Sequence, residues 1–337
     1  MKYEVLLVLF SAALISFSII HPTYQDFPNT GTRGFTADSF GFYTNTQILV
    51  GQNSTSFGKI HRPLYPVLSA PVLLLMNSTD SMLVIPMLAG VVSVVVFFWI
   101  VKHELDEKKA FISAAILATS HLLVNYSTSA MSDIPALAIS LIAIKLWQSC
   151  KKPNLTAAAF LAAILTRETS IIFLIAAIIS DFLSKKSISW AKPLSYLAII
   201  GMPLYAYYYY YVWVLYPRAG YTIYTSFTQR IAVLVVTLFN ASGELLLLSA
   251  IAIHQLLKSR TRIGTFFTAT ILLNAIMQAS WSVIYTRVWM PSLPAFAFLS
   301  VSLMSSFGIF AAVALFAYTT VFSIPYSFLA KLIKDIV

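Results

Sequence analysis

The chain of 337 residues is 59% hydrophobic and only 10% charged, with a net charge of +10 at pH 7. This apolar fraction exceeds what a soluble core can bury, so the composition indicates an integral membrane protein without a soluble domain. The cations lie in short clusters between apolar runs, which excludes a nucleic-acid partner. Because there is one cysteine, Cys150, an internal disulfide framework is also excluded.

Apolar runs of about 17–25 residues predict membrane-spanning helices. In chain order these are Val5–Ile20, Met82–Val101, Phe111–Tyr126, Ile134–Ser149, Pro193–Tyr216, Ile231–Leu257, Ile263–Ser280, Val288–Ser306 and Gly308–Ser323. With a helical hairpin added, the prediction is an all-α, polytopic transmembrane bundle of about 9 to 11 membrane helices. Residues 1–337 are predicted to form a single transmembrane domain.

Residues 21–76 are predicted to lie outside the membrane as a long first extracellular loop followed by interfacial helices. Pro63–Met76 is apolar, but it is short and contains three prolines, which is more typical of an interfacial segment than of a span. If it does not span, the later lysine clusters fall on the same side as Lys2, as the positive-inside bias requires. If it does span, the cluster around Lys108 moves outside.

Arg167 and Glu168 interrupt the apolar run Leu155–Leu183. A charge at membrane depth costs roughly 2.5–3.5 kcal/mol, so this pair predicts a buried polar site. Since both ends of the run fall inside, residues 155–183 are predicted to form a helical hairpin with the pair near its tip. Adjacent residues of a helix do not face each other, and Glu244 is therefore the better predicted partner for Arg167.

Four short blocks follow one another along the chain. They are residues 36–66, which contain TADSFGFY and FGKIHRPLYP, residues 131–135 (MSDIP), residues 165–169 (LTRET) and residues 285–294 (YTRVWMPSLP). In this order they resemble the GT-C glycosyltransferases, among them the aminoarabinose and protein O-mannosyl transferases. That resemblance implies a GT-C fold and an enzyme that takes a sugar from a polyprenyl phosphate.

The resemblance also implies roles for particular residues. Transfer from a lipid phosphate requires a base for the acceptor hydroxyl and positive charge for the departing phosphate. Asp38 matches the acidic position and is the predicted catalytic base; the alternative is a cap on a helix from Ser39 onward. The predicted substrate-binding and phosphate-binding residues are Arg62, Arg167, Arg287, Tyr43, His61, Tyr65 and Asp133.

Each of the other charged candidates also has a structural interpretation, and the sequence leaves both open. Arg62 is either a phosphate ligand or a snorkelling interfacial arginine. Arg167 is either a ligand or half of a buried ion pair, and Arg287 either a ligand or a topological anchor. Asp133 precedes Pro135, an ordinary helix start.

Since no His or carboxylate spacing forms a metal set, and the outer loop lacks an Asp-x-Asp pair, we predict transfer without a metal or cofactor.

The predicted function is that of an inverting glycosyltransferase of the plasma membrane with its site facing outside. It would move a sugar from a polyprenyl (dolichyl-like) phosphate to an acceptor. The predicted partners are the polyprenyl-phosphate-linked sugar, membrane lipids and a partner membrane subunit. Two alternatives remain open: a lipid or sugar transporter that uses the buried charges as a path, and a non-catalytic GT-C-like subunit of a larger assembly.

We expect Cys150 to be cytoplasmic, and cysteines introduced by Asn53→Cys and Asn77→Cys to be external, because the lysine clusters mark the cytoplasmic side. Labelling of intact cells with an impermeant maleimide measures this directly. Only the two introduced cysteines should react. Labelling of Cys150 together with protection of position 77 would contradict the predicted orientation.

Overall fold

The computed structural model describes residues 2–20, 35, 37–52, 62–149, 152–184, 199, 203, 227–242, 249, 261–280 and 286–302. The regular structure in these residues is helical. The α-helices are α1 (Lys2–Ile20), α2 (Ala37–Leu49), α3 (Leu64–Met76), α4 (Ser81–Lys102), α5 (Glu107–Thr119), α6 (His121–Ser127), α7 (Asp133–Ser149), α8 (Pro153–Thr166), α9 (Ile171–Leu183), α10 (Phe227–Ser242), α11 (Arg262–Ser280) and α12 (Leu293–Ser302). Two 3-10 helices, Glu168–Ser170 and Thr286–Ser292, precede α9 and α12. The predicted all-α fold is confirmed.

Helix α4 is the centre of the bundle and contacts α1, α3, α5, α6 and α7. It is apolar on all sides, which is typical of a helix buried in protein or lipid. Gly90 permits a close approach here, because a Cβ at this position would collide with the Ser127 hydroxyl and lie 3.0 Å from Cδ1 of Ile15. Any larger residue at position 90 would therefore force neighbouring side chains to shift where α1, α4 and α6 meet.

Within the described residues, α4 is the one helix that is both long and apolar enough to cross a membrane. Helices α5 and α6 together would form a second span, bent by 59° at Ser120. The predicted span Phe111–Tyr126 is thus two helices. The backbone of Ser120 leaves the helical region (φ −59°, ψ 123°), and the side chain of Thr119 bonds back to the carbonyl of Ile116.

The other predicted spans compare with the helices as follows. The bounds of α1, α7 and α11 lie close to those predicted from the apolar runs. Helix α10 covers the first part of the predicted span Ile231–Leu257, and α12 lies within Val288–Ser306. Pro193–Tyr216 and Gly308–Ser323 fall outside the described residues, apart from two single positions, as does Cys150.

Helices α2 and α3 pack side by side before α4 begins. The rings of Phe42 and Tyr65 meet edge to face with centroids 5.1 Å apart. Asn77, in the left-handed conformation (φ 46°), caps α3 and accepts a hydrogen bond from Gln52 at 3.1 Å. Helix α3 has 13 residues, about 20 Å of helix, and is shorter than the roughly 30 Å hydrocarbon core.

The run Leu155–Leu183 breaks at Arg167, whose backbone is extended (φ −156°, ψ 126°). Helix α8 before the break packs mainly on α7, and α9 after it packs mainly on α11. Arg167 is thus the C-terminal cap of α8, and Glu168 begins the 3-10 helix that leads into α9. The interruption falls where the charged pair predicted it, and the hairpin itself stays a prediction.

Candidate functional site

Six charged residues from all four sequence blocks form one cluster. They are Asp38, Arg62, Asp133, Arg167, Glu168 and Arg287. They form three arginine–carboxylate pairs whose formal charges cancel. We call this group the charge cluster.

The first pair joins the start of α3 to the break between α8 and α9. Nε of Arg62 donates to Oε2 of Glu168 at 2.7 Å, and Nη2 of Arg62 donates to Oε1. This two-point fork is the geometry by which guanidinium binds carboxylate or phosphate. Tyr65 holds the start of α3 in place, since its hydroxyl donates to the carbonyl of Met82 at 2.7 Å.

The second pair is the most deeply buried. Nη1 of Arg167 donates to Oδ2 of Asp133 at 2.7 Å, and the two side chains are 5% and 0% exposed. Asp133 is the first residue of α7, and Arg167 is held by its own N–H, which donates to the carbonyl of Ala163 at 2.9 Å. The predicted partner of Arg167, Glu244, lies outside the described residues.

The third pair links α2 to the second 3-10 helix. Nη2 of Arg287 lies 3.3 Å from Oδ2 of Asp38, whose side chain is 26% exposed, the most open of the six. The 3-10 helix is anchored by Trp289, which donates to Thr237 of α10 at 3.1 Å. A second anchor is Ser292, which accepts from Asn274 of α11 at 2.8 Å.

Electrostatics show that the three pairs act on one another. Arg167 interacts with Arg62, Arg287 and Glu168 in addition to Asp133. Burial by itself would lower the pKa of Arg62, but the carboxylate of Glu168, helped by those of Asp133 and Asp38, raises the pKa above the ordinary arginine value. Arg62 therefore stays protonated.

The charge cluster also lies where helices begin. Asp38 and Asp133 are in the first turns of α2 and α7, Arg62 lies two residues before the start of α3, and Glu168 begins the 3-10 helix that leads into α9. The N-terminal end of a helix carries partial positive charge and unpaired N–H groups. Together with three arginines, these ends make the region suited to an anion. Helix α2 begins at Ala37, two residues earlier than a cap at Asp38 requires, so Asp38 lies within the first turn.

Nη1 of Arg62 and Oδ1 of Asp133 are buried without a hydrogen-bond partner among the described residues. A cavity of about 10 Å³ borders Asp133 and Arg167, which is room for about one water molecule. This cavity by itself is too small for a phosphate group.

The remaining predicted residues have different surroundings. Tyr65 is buried, and its hydroxyl is satisfied by Met82. Tyr43 is half-buried on α2, with its ring edge-on to Phe35 at 6.2 Å. His61 lies outside the described residues. Direct substrate contact by these three side chains stays a prediction.

Glu168 is the member of the cluster that the sequence had not assigned to the site. The pattern Arg167-Glu168 placed a carboxylate at membrane depth, but its partner, Arg62, lies 106 residues away. In the part of the chain that the structure describes, no group of three or more His, Cys, Asp and Glu residues is placed to hold a metal ion. Absence of a metal requirement stays a prediction.

Residues 61–213, just under half of the chain, match the model of the dolichyl-phosphate-mannose-protein mannosyltransferase family. This segment contains three of the four blocks in whole or in part. No curated protein sequence matches the chain.

Solved structures with a similar fold include ArnT from Cupriavidus metallidurans. The apo structure matches with a TM-score of 0.66 and 11% identity over 92% of this chain and 62% of that one. The structure bound to undecaprenyl phosphate matches with a TM-score of 0.63 and 12% identity over 91% and 62%. The Archaeoglobus fulgidus oligosaccharyltransferase, tethered to an acceptor peptide, matches with a TM-score of 0.55 and 12% identity over 96% and 54%. The chain thus spans about 62% of the length of ArnT, and the predicted GT-C fold is confirmed.

We expect Arg167→Ala to destabilise the protein strongly, because it leaves the buried carboxylate of Asp133 unpaired. Breaking a buried pair in this way costs about 3–5 kcal/mol. Thermal unfolding in detergent measures the effect. Arg167→Ala with Asp133→Ala should recover part of the loss, since no charge is then left alone. Equal stability of the wild type and Arg167→Ala would show that the pair does not support the fold.

Proposed function

We propose that this chain, a membrane protein with the GT-C fold, is an inverting glycosyltransferase that moves a sugar from a polyprenyl phosphate to an acceptor at the external face of the plasma membrane. The observation that carries the proposal is the convergence of Asp38, Arg62, Arg167 and Arg287 in one charge cluster. The family match over residues 61–213 supports it. One of the similar structures holds undecaprenyl phosphate, which supports a carrier of that class.

Arg62 is the proposed principal ligand of the carrier phosphate. Its guanidinium already binds an anion through two N–H groups, and its Nη1 is buried without a partner in the described structure. Phosphate accepts the same fork and offers a further oxygen. Arg167 and Arg287 add positive charge, which matters most as negative charge develops on the leaving oxygen.

Asp38 is the proposed general base. It is the most exposed carboxylate of the cluster, and Arg287 orients it from one side. In the reaction, the acceptor hydroxyl loses its proton to Asp38 while its oxygen forms a bond to the anomeric carbon. The bond from that carbon to the phosphate oxygen breaks, and the polyprenyl phosphate leaves with the electron pair. A single displacement of this kind inverts the anomeric centre.

Asp133 is proposed to contact the sugar. Its Oδ2 accepts from Arg167, whereas its Oδ1 is buried and has no hydrogen-bond partner among the described residues. A buried acceptor of this kind is costly unless a donor arrives, and a sugar hydroxyl is such a donor. Asp133 would thereby orient the ring beside the phosphate.

Glu168 is proposed to occupy the phosphate position until the carrier arrives. It fills the fork of Arg62, and the cavity beside the cluster holds little more than one water molecule. Phosphate can reach Arg62 only when the Glu168 carboxylate moves aside. Glu168 lies on a three-residue 3-10 helix, an element that is held by few internal hydrogen bonds.

The external location rests on the lysine distribution, which places the start of α7 and the end of α3 on the side opposite the lysine clusters. A partner membrane subunit is proposed to contribute acceptor specificity.

The charge cancellation in the cluster favours a second candidate function, that of a non-catalytic GT-C-like subunit. Three arginines that each pair with a carboxylate are also typical of a purely structural network.

We expect Asp38→Asn to abolish sugar transfer while binding of undecaprenyl phosphate stays within about twofold, because an amide keeps the shape but does not take the acceptor proton. Transfer and lipid affinity are measured on the same preparation, with a chelator present. Asp80→Asn is the matched control, since Asp80 is an exposed carboxylate just before α4 and outside the cluster. Equal transfer by the wild type and Asp38→Asn would remove Asp38 from the mechanism.

We expect Glu168→Gln to bind undecaprenyl phosphate about tenfold more tightly, because a neutral amide competes less well than a carboxylate for Arg62. Arg62→Lys should bind it more weakly and turn over more slowly, because lysine keeps the charge but not the fork. Arg167→Lys and Arg287→Lys should slow turnover more than they weaken binding. Unchanged affinity and turnover in all four variants would favour the non-catalytic role.

A further inference from the structure

A second polar cavity, of about 300 Å³, lies at the other end of the bundle. Helix α7 begins at Asp133 in the charge cluster and reaches this cavity at Trp147 and Gln148, roughly 20 Å further along the helix. The cavity is bordered by residues after α4, the end of α7, the residue after α9 and the start of α11. Its polar lining residues are His103, Glu104, Gln148, Ser184 and Arg262. A volume of this size falls in the range of small-ligand sites.

Arg262 is held rigidly at one wall. Its Nε donates to Oδ1 of Asp181 at 2.6 Å, and its guanidinium lies 4.0 Å from the ring centre of Trp147. The indole N–H of Trp147 in turn donates to Oδ2 of Asp181 at 3.0 Å. Arg262, Trp147 and Asp181 thus fix one another, so that a cation is oriented at the cavity before any ligand arrives.

Glu104 supplies the opposite charge at the rim and is oriented in the same way. Nε2 of Gln148, a buried side chain, donates to Oε1 of Glu104 at 3.2 Å and to the carbonyl of Ile100 at 3.1 Å. A third wall carries Ser184, whose hydroxyl is buried without a hydrogen-bond partner among the described residues. That hydroxyl is available to donate to an anionic oxygen.

The position along α4 places the cavity at the depth of lipid headgroups. Helix α4 is long and apolar enough to cross a membrane, and His103 and Glu104 follow directly after its last residue, Lys102. The polar headgroup region begins where the apolar span ends. Polar pockets between helices at this depth are suited to recognising lipid headgroups.

We propose that this cavity binds a phosphodiester that carries a primary amine, the headgroup chemistry of phosphatidylethanolamine. The phosphate contacts Arg262 and Ser184, and the ammonium group contacts Glu104. The lining presents a guanidinium and a hydroxyl as donors for a phosphate, and a carboxylate as an acceptor for an ammonium group, so a ligand with both groups contacts all three. This site is separate from the charge cluster, and the proposal does not depend on sugar transfer.

The test is competitive lipid binding by native mass spectrometry, on purified protein in an equimolar mixture of phosphatidylethanolamine, phosphatidylglycerol and phosphatidylcholine. We expect the wild type to retain phosphatidylethanolamine about fivefold over the other two, since phosphatidylglycerol lacks the amine and the choline headgroup has no N–H to donate. Glu104→Gln should lose this preference, and Ser184→Ala should weaken retention of the same lipid. Sugar transfer should be unchanged in both variants.

Glu107→Gln is the matched control, because Glu107 is an exposed carboxylate at the same end of the molecule, paired with Lys102 outside the cavity. It should keep the wild-type preference. Equal retention of the three lipids by the wild type, or an unchanged preference in Glu104→Gln, would overturn the proposal. Soluble glycerophosphoethanolamine is added as a competitor: displacement of the lipid would identify the free zwitterion as a ligand, and failure to displace it would identify the membrane lipid.

Discussion

Burial of three guanidinium groups against three carboxylates is the constraint on which this bundle depends. Any one of these charges left without its partner would cost several kcal/mol in a low-dielectric interior. The partners are 34, 106 and 249 residues apart along the chain. Each pair therefore requires two distant helix ends to meet. As a result, the starts of α2, α3 and α7 and the break before α9 are assembled at one end of the molecule.

The helices themselves were largely predictable, because apolar length is a local property of the chain. The bounds of α1, α4, α7 and α11 follow the apolar runs closely. The bend at Ser120 was not predictable in this way, since an apolar run is the same whether one residue within it keeps helical backbone angles or leaves them. The interruption at Arg167 was predictable because a charge at membrane depth has to meet a polar neighbour.

The charge cluster was predictable in five of its six members, all but Glu168, but not in its pairs. Side-chain geometry correctly excluded Arg167 from pairing with the adjacent Glu168, and the two have different partners. Asp133 pairs with Arg167 because α7 packs against α8, and a local sequence pattern does not predict that packing. Tyr65 also lies in one of the four blocks, but its hydroxyl donates to the carbonyl of Met82. This hydrogen bond fixes the approach of α3 to α4 and is structural.

The break between α8 and α9 constrains the number of residues in the connection between these helices. Connections between helices ordinarily tolerate insertions, because no contact in them depends on an exact number of residues. Here Arg167 and Glu168 are consecutive, yet they belong to different ion pairs, Arg167 at the extended break and Glu168 at the start of the 3-10 helix. One residue inserted between them would change the position of Glu168 relative to Arg167, and deletion of either residue would remove one member of an ion pair. This connection is therefore expected to keep its length where surface loops of the same fold vary in theirs.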